Sequence, residues 1–326
     1  MRAPSRATPI PVPKITAFVS HEDTPRHDTG WNHPDHQGRI PAIARAVYKD
    51  MLTLFDPLLE LSATPATDAD ILLVHTPAHV ARVREAAARA GSQVAELDGV
   101  RLSGASDEAA RASVGGALTA VEAVIAGDVR NAFVLARPPG RDALADSAAV
   151  FSLFNTVAIA ARHLRERHGV ERVLVVSWGS RPATHLRQAL SGAPWVRMVD
   201  IHAHPQSFPA PQADPPPPMP GDAPLPPGSD GAVFSRALVD ALDALGSDAP
   251  EFVLLSAGFD ILAGDPLGSL AVDPREIHDV TRVLREWADA HAGGRLVSVL
   301  EGGYDAANTA RAVVQHLRAL IGLESA

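Results

Sequence analysis

The chain has 326 residues, 46% of them hydrophobic and 21% charged, with a net charge of −9. Those proportions suit a folded α/β core and exclude a disordered or fibrous chain, and an acidic balance without any basic block argues against a nucleic-acid partner. There is no cysteine, so thiol nucleophiles, disulfides and thiolate metal sites are excluded together. Lysine occurs only at Lys14 and Lys49, so buried positive charge must come from arginine, which stays protonated. No run is read as reaching the ~20 apolar residues of a membrane span, and the opening MRAPSRATPIPVPK lacks the apolar core of a signal peptide. A cytoplasmic protein without a membrane partner is expected.

In chain order, apolar β-rich runs are predicted as strands at ITAFVS, DILLVH, NAFVLAR, RVLVVSW, VRMVDIH, FVLLSA and RLVSVLE. Several are apolar throughout, as strands of a parallel sheet covered on both faces should be. Helical patterns fall between them at about 78–90, 105–126, 150–168, 231–246, 273–292 and 304–322. This alternation predicts a doubly wound α/β fold. Eleven of the 24 residues from Pro205 to Gly228 are proline, which fixes φ and removes donors, so a long extended loop is predicted there.

Catalytic groups in such folds collect at strand C-termini. The end of one strand, VVSWGSRPAT (175–184), presents Ser177, Gly179 and Arg181 at alternate positions, which offers little chemistry. Two rebuilt sites are conceivable from the residues alone. Asp200, His202 and His204 alternate along DIHAH and would share one strand face as metal ligands if the strand reached so far. Ser177 or Ser180 could act as a nucleophile with His185 as base, although the GxSxG elbow is missing.

The motifs HDTGWNHPDHQGRI (27–40), RPPGRDALADSAAVFSLFNTVAIAARHL (137–164), LPPGSDGAVFSRAL (225–238), LLSAGFDILAGDPLG (254–268) and LVSVLEGGYD (296–305) resemble the histone deacetylase and acetylpolyamine amidohydrolase family, over Thr16 to Leu320. The resemblance implies a single three-layer α/β domain of the arginase-deacetylase type, with a mainly parallel eight-stranded sheet and long loops at strand C-termini. The domain is expected over residues 15–322, between an N-terminal arm (1–14) and a short tail (323–326), with the Pro-rich loop at 205–228.

The resemblance also implies where family chemistry would stand. The zinc-binding aspartate and histidine fall at Gly179 and Arg181, so of three ligand positions only Asp260 keeps a donor, and one oxygen cannot make a tetrahedral site. The paired histidines that serve the attacking water fall at Arg141 and Asp142, a permanent cation and an acid. Tyr304 matches the tyrosine at the scissile carbonyl, Phe151 and Phe208 the aromatic tunnel walls, and Arg39 an arginine at the tunnel's inner end. Where the family binds a monovalent cation, Ser177 replaces an aspartate and Asp200 replaces a serine, so a monovalent ion beside Asp200 remains conceivable.

Each survivor has a plainer reading. Phe151 and Phe208 read equally well as buried area, Asp260 as a turn cap, Tyr304 as the start of the last helix, and Arg141 with Asp142 as a solvated pair. Taken together, the positions predict a deacetylase-like pseudoenzyme without zinc that binds a small acyl-amine-like ligand or a protein partner. Hydrolysis by rebuilt chemistry and a non-catalytic structural subunit are the alternatives. Arg181 is expected to fill the vacated metal seat and pair with Asp260.

Overall fold

The computed structural model describes residues 15–205, 220–246 and 248–326. The N-terminal arm, most of the Pro-rich loop and the expected tunnel wall Phe208 lie outside the described residues. Among the described residues there are ten strands: β1 (Thr16–Ser20), β2 (Leu58–Ser62), β3 (Ala95–Leu97), β4 (Val100–Leu102), β5 (Asn131–Val134), β6 (Val173–Gly179), β7 (Val196–Ala203), β8 (Asp222–Leu225), β9 (Phe252–Ala257) and β10 (Leu296–Leu300). The helices are α1 (Arg39–Lys49), α2 (Met51–Leu54), α3 (Asp68–Ile71), α4 (Pro77–Ala90), α5 (Ser106–Ala126), α6 (Thr156–His168), α7 (Thr184–Ala189), α8 (Gly231–Asp243), α9 (Ile277–His291) and α10 (Ala306–Ile321).

Eight strands form one sheet in the order β2-β1-β5-β10-β9-β6-β7-β8, every pairing parallel, and β3 and β4 form a separate antiparallel pair. The central strands are buried along their whole length because helices cover both faces, which is why they read as apolar runs. On one face Val80, Val83, Val114, Val121, Val157 and Leu164 of α4, α5 and α6 pack on the sheet. On the other, Ile43, Leu238, Leu284 and Leu317 of α1, α8, α9 and α10 do so. The result is a three-layer α/β architecture with an all-parallel eight-stranded sheet.

Four local expectations are corrected. DILLVH is not a strand: Thr67 caps the short helix α3 in a reciprocal capping box with Asp70, and that local hydrogen-bonding outweighs the apolar run. The true strand nearby is LLELS, an edge strand exposed along much of its length, so it lacks the buried-strand signature. Asp222–Leu225, within the proline-rich stretch, is the opposite edge strand, where a proline without a donor is tolerated. Finally, α5 is long and apolar enough by composition to cross a membrane, yet 72% of that stretch is buried inside the protein.

Helix α5 also shows how closely the layers approach. A Cβ on Gly115 would stand 1.9 Å from the Thr64 carbonyl oxygen and 2.8 Å from the Ala66 nitrogen, backbone atoms that cannot swing aside. Alanine would gain about 1 kcal/mol of helix propensity, but overpacking costs about 1–3 kcal/mol or more, so the clash decides the sign. Gly115→Ala is expected to lower stability by about 2 kcal/mol net, read as a lower urea midpoint at unchanged slope. A midpoint equal to or above wild type would contradict this packing.

Candidate active site

The parallel sheet delivers its strand C-termini to one end of the molecule, and the sequence-predicted site residues gather there. Register aligns Ser177 with Asp200 of β7 on one side and Ser256 of β9 on the other, and Gly179 with His202. Just beyond these ends stand Arg141 and Asp142 after β5, Asp260 in the turn after β9, and Glu301 to Tyr304 after β10.

Arg141 is the centre of this constellation. It is only 6% exposed, and its Nη1 lies 3.5 Å from the Trp178 carbonyl oxygen. A Cβ on Gly179 would meet that Nη1 at 2.2 Å, so the guanidinium rests where any side chain at 179 would begin. Burial opposes its charge, yet Asp142, Asp260, Asp200 and Glu301 outweigh burial and raise its pKa above the ordinary arginine value. Arg141 with Asp142 is therefore not the solvated surface pair that the plainer reading offered. The chain is held here by Asn155, whose Nδ2 donates to the carbonyls of Arg141 and Ala143 at 3.3 and 2.9 Å.

The carboxylates around Arg141 are in low-dielectric surroundings. Asp260 is 5% exposed; its Oδ1 accepts from the Ser180 amide at 3.1 Å, and burial raises its pKa against the lowering influence of Arg141. Glu301 accepts from the amides of Gly140 and Arg141 at 2.7 and 3.1 Å. Burial nevertheless pushes it up to about 7. Sequence reasoning passed over Glu301, although its place at the end of an apolar strand run, before two glycines, was a usable signal.

The expected role of Arg181 is corrected. Arg181 is exposed while Asp260 is buried, and the guanidinium that bears on Asp260 is that of Arg141. Strand β6 ends at Gly179, so residue 181 is carried past the sheet edge to the surface. Arg141 arrives instead from the neighbouring loop, a direction that no spacing along β6 could disclose.

Tyr304, Phe151, Asp142 and His185 are partly exposed on the solvent side of these buried charges. The Phe151 ring meets Tyr304 edge-on at 5.5 Å and His33 at 4.7 Å; His33 is a site residue that sequence reasoning left unassigned inside the HDTGWNHPDHQGRI motif. Burial and the nearby Asp260 carboxylate hold the Tyr304 phenol well above its ordinary pKa. Asp142 Oδ1 lies 3.7 Å from His185 Nδ1.

Arg39 lies beneath the Tyr304 ring. It is fully buried, with its guanidinium 5.0 Å from the centre of that ring, and it donates to the carbonyls of Gly303 and Glu301 at 2.7 Å each. Its counter-ion is Asp35, which also accepts from Arg137. Burial would raise Asp35, but Arg137 and Arg39 outweigh it and hold the carboxyl at about 2. This triad fixes the loop that carries Tyr304.

The two rebuilt sites fare differently. Strand β7 does extend to Ala203, so Asp200 and His202 share a buried face, while His204 lies beyond the strand. Ser177 and Ser180 are both fully buried, and Ser180 Oγ is engaged by the Asp260 carbonyl, so the serine nucleophile reading loses its accessible hydroxyl. Ser177 Oγ and Asp200 Oδ1 have no hydrogen-bond partner, and burial raises the Asp200 pKa. These two oxygens, on register-paired residues, are the atoms that could hold a monovalent cation.

Comparison with known proteins agrees with this architecture. A model of the histone deacetylase domain matches residues 33–320. Human polyamine deacetylase HDAC10 is 31% identical over 331 aligned positions, covering 94% of this chain and 48% of its own length. A histone deacetylase-like amidohydrolase of Pseudomonas aeruginosa is 34% identical over 283 positions, covering 81% and 71%. The chain thus spans about half the length of its HDAC10 relative. The HD domain of HDA15 superposes with a TM-score of 0.83 at 24% identity, over 96% of this chain and 91% of that one, which is a likeness of fold. With a family model covering most of its length and parallel strand ends that assemble the same ordered motifs, the chain belongs to the histone deacetylase family.

Proposed function

We propose that this chain is a member of its family whose strand-end site is zinc-free and binds an acyl-amine-like ligand or a protein partner without hydrolysing an amide. The observation that carries this reading is the Arg141 guanidinium set against the Cα of Gly179. Zinc does not fit such a donor set: it needs about four nitrogen, sulfur or oxygen ligands, whereas Gly179 supplies none, Arg181 is exposed and the charge of a permanent cation, Arg141, already bears on Asp260. A general base with a pKa near neutrality is likewise missing from positions 141 and 142.

The names of the relatives indicate deacetylation of polyamines by HDAC10 and amidohydrolase activity in the bacterial protein. For this chain, acetyl-lysine peptides and acetylated polyamines are expected to show no hydrolysis above background with zinc supplied. Turnover that a hydroxamate inhibits and Tyr304→Phe abolishes would overturn the proposal. The nearness of Asp142 to His185, at 3.7 Å without a hydrogen bond, favours one second reading, in which an imidazole beside a carboxylate activates water without zinc. Turnover of that kind would resist hydroxamates and vanish in His185→Gln.

A further inference from the structure

Helices α5 and α6 pack side by side, and at their solvent edge three side chains converge. Glu122 of α5 and His163 and His168 of α6 present ligand atoms that all lie within 4.8 Å of one another. Glu122 Oε1 faces both imidazoles, at 2.7 Å from His163 Nε2 and 2.8 Å from His168 Nε2. The two rings stand 5.5 Å apart, tilted by 58°. Residues separated by five positions on a helix point about 140° apart. His168, however, is the last residue of α6, followed by Gly169 in the left-handed cap, and this terminal position lets its ring turn back toward His163.

We infer that Glu122, His163 and His168 form a binding site for a divalent first-row transition ion of the zinc class, remote from the strand-end site. Two imidazole nitrogens and one carboxylate oxygen suit zinc, cobalt, nickel or copper, and are a poor set for magnesium or calcium. The side chains are 10%, 20% and 52% exposed for His163, His168 and Glu122, so the site is partly desolvated while one side stays open for a water ligand. A tetrahedral set at metal-ligand distances of about 2 Å needs donors about 3.3 Å apart. The two Glu122–imidazole contacts therefore open by only about half an ångström, a movement that the exposed Glu122 side chain can make, while all three donors already lie within 4.8 Å of one another.

Binding displaces the two Nε2 protons that Glu122 now accepts. His163 Nδ1 has no hydrogen-bond partner, so the tautomer that frees its Nε2 gains no second hydrogen bond. Outer-shell partners are worth about 10–100-fold in affinity, and the lack of one at His163 Nδ1 favours an exchangeable ion.

The full chain, stripped with a chelator and dialysed, would be titrated with Zn²⁺ by calorimetry and with Co²⁺ by visible absorption. About one ion per chain is expected, with the absorption bands of nitrogen and oxygen ligation. Glu122→Gln and His168→Gln, at exposed and partly exposed positions, are each expected to weaken uptake about tenfold or more and together to abolish it. Asp260→Asn should leave it unchanged. Failure to take up either ion, or uptake that survives the Glu122→Gln/His168→Gln pair, would overturn the site. Uptake lost only in Asp260→Asn would overturn it as well and would also remove the zinc-free reading, whereas uptake lost only in the helix variants leaves that reading intact.

Discussion

Replacing Arg141 by methionine is expected to lower stability by about 3–5 kcal/mol at about pH 8, because one partner of a buried charge cluster is removed while the others remain. The pH dependence follows from the carboxylates left behind. Glu301 stands at about 7 in the folded protein even with Arg141 beside it. A carboxyl raised above its unfolded value contributes most to stability below that unfolded value. The contribution is lost as pH rises through 7, to a total of roughly 3 kcal/mol. Burial also raises Asp260 and Asp200, and Arg141 lowers both. Without the guanidinium all three move further up. The penalty of Arg141→Met should therefore be largest at about pH 8 and shrink toward about pH 5, where the native state can hold the protons. Urea denaturation of wild type and variant at the two pH values measures this. An equal loss at both would mean that Arg141 acts through packing alone. Combining Arg141→Met with Glu301→Gln should cost less than the two single losses added, since the residues share one network.

Rebuilding a family zinc site should require that Arg141 leave. Gly179→Asp with Arg181→His supplies two donors beside Asp260, but the new Cβ would collide with Arg141 Nη1 at 2.2 Å. A guanidinium retained there would pair with the new carboxylate and cancel it. This two-residue variant is expected to be less stable than wild type and to gain no zinc. Adding Arg141→His and Asp142→His removes both the clash and the competing cation, and leaves three protein ligands with a fourth position open. That four-residue variant, prepared with Glu122→Gln and His168→Gln so that the helix site is silent, should carry about one zinc per chain. Elemental analysis after dialysis distinguishes the outcomes. Full zinc occupancy at wild-type stability in the two-residue variant, prepared with the same Glu122→Gln and His168→Gln changes, would show that Arg141 yields readily. A folded four-residue variant without zinc would show that the seat is misassigned.

The layered α/β class is legible in the chain alone, because strands buried on both faces must be apolar throughout, and β5, β6, β9 and β10 are so written. So are the lengths of α5, α8, α9 and α10 to within a few residues, since their apolar periodicity and caps are local. The sequence also located the site, through ordered motifs that fall at strand ends. The edge strands β2 and β8 escaped it, because β2 is largely exposed and β8 only half-buried, so neither carries the run of apolar residues that marks a central strand. Which arginine's charge bears on Asp260 depends on how the loops fold over the strand ends. Arg181 and Arg141 are equally charged and equally close to a motif. One leaves the sheet with β6, and the other enters over a glycine from a loop separated by some forty residues of chain. The same holds for Glu122, which meets His163 and His168 only because α5 and α6 pack together. Periodicity fixes which face of a helix is buried; contact between distant segments depends on how layers stack, and that is a property of the whole core.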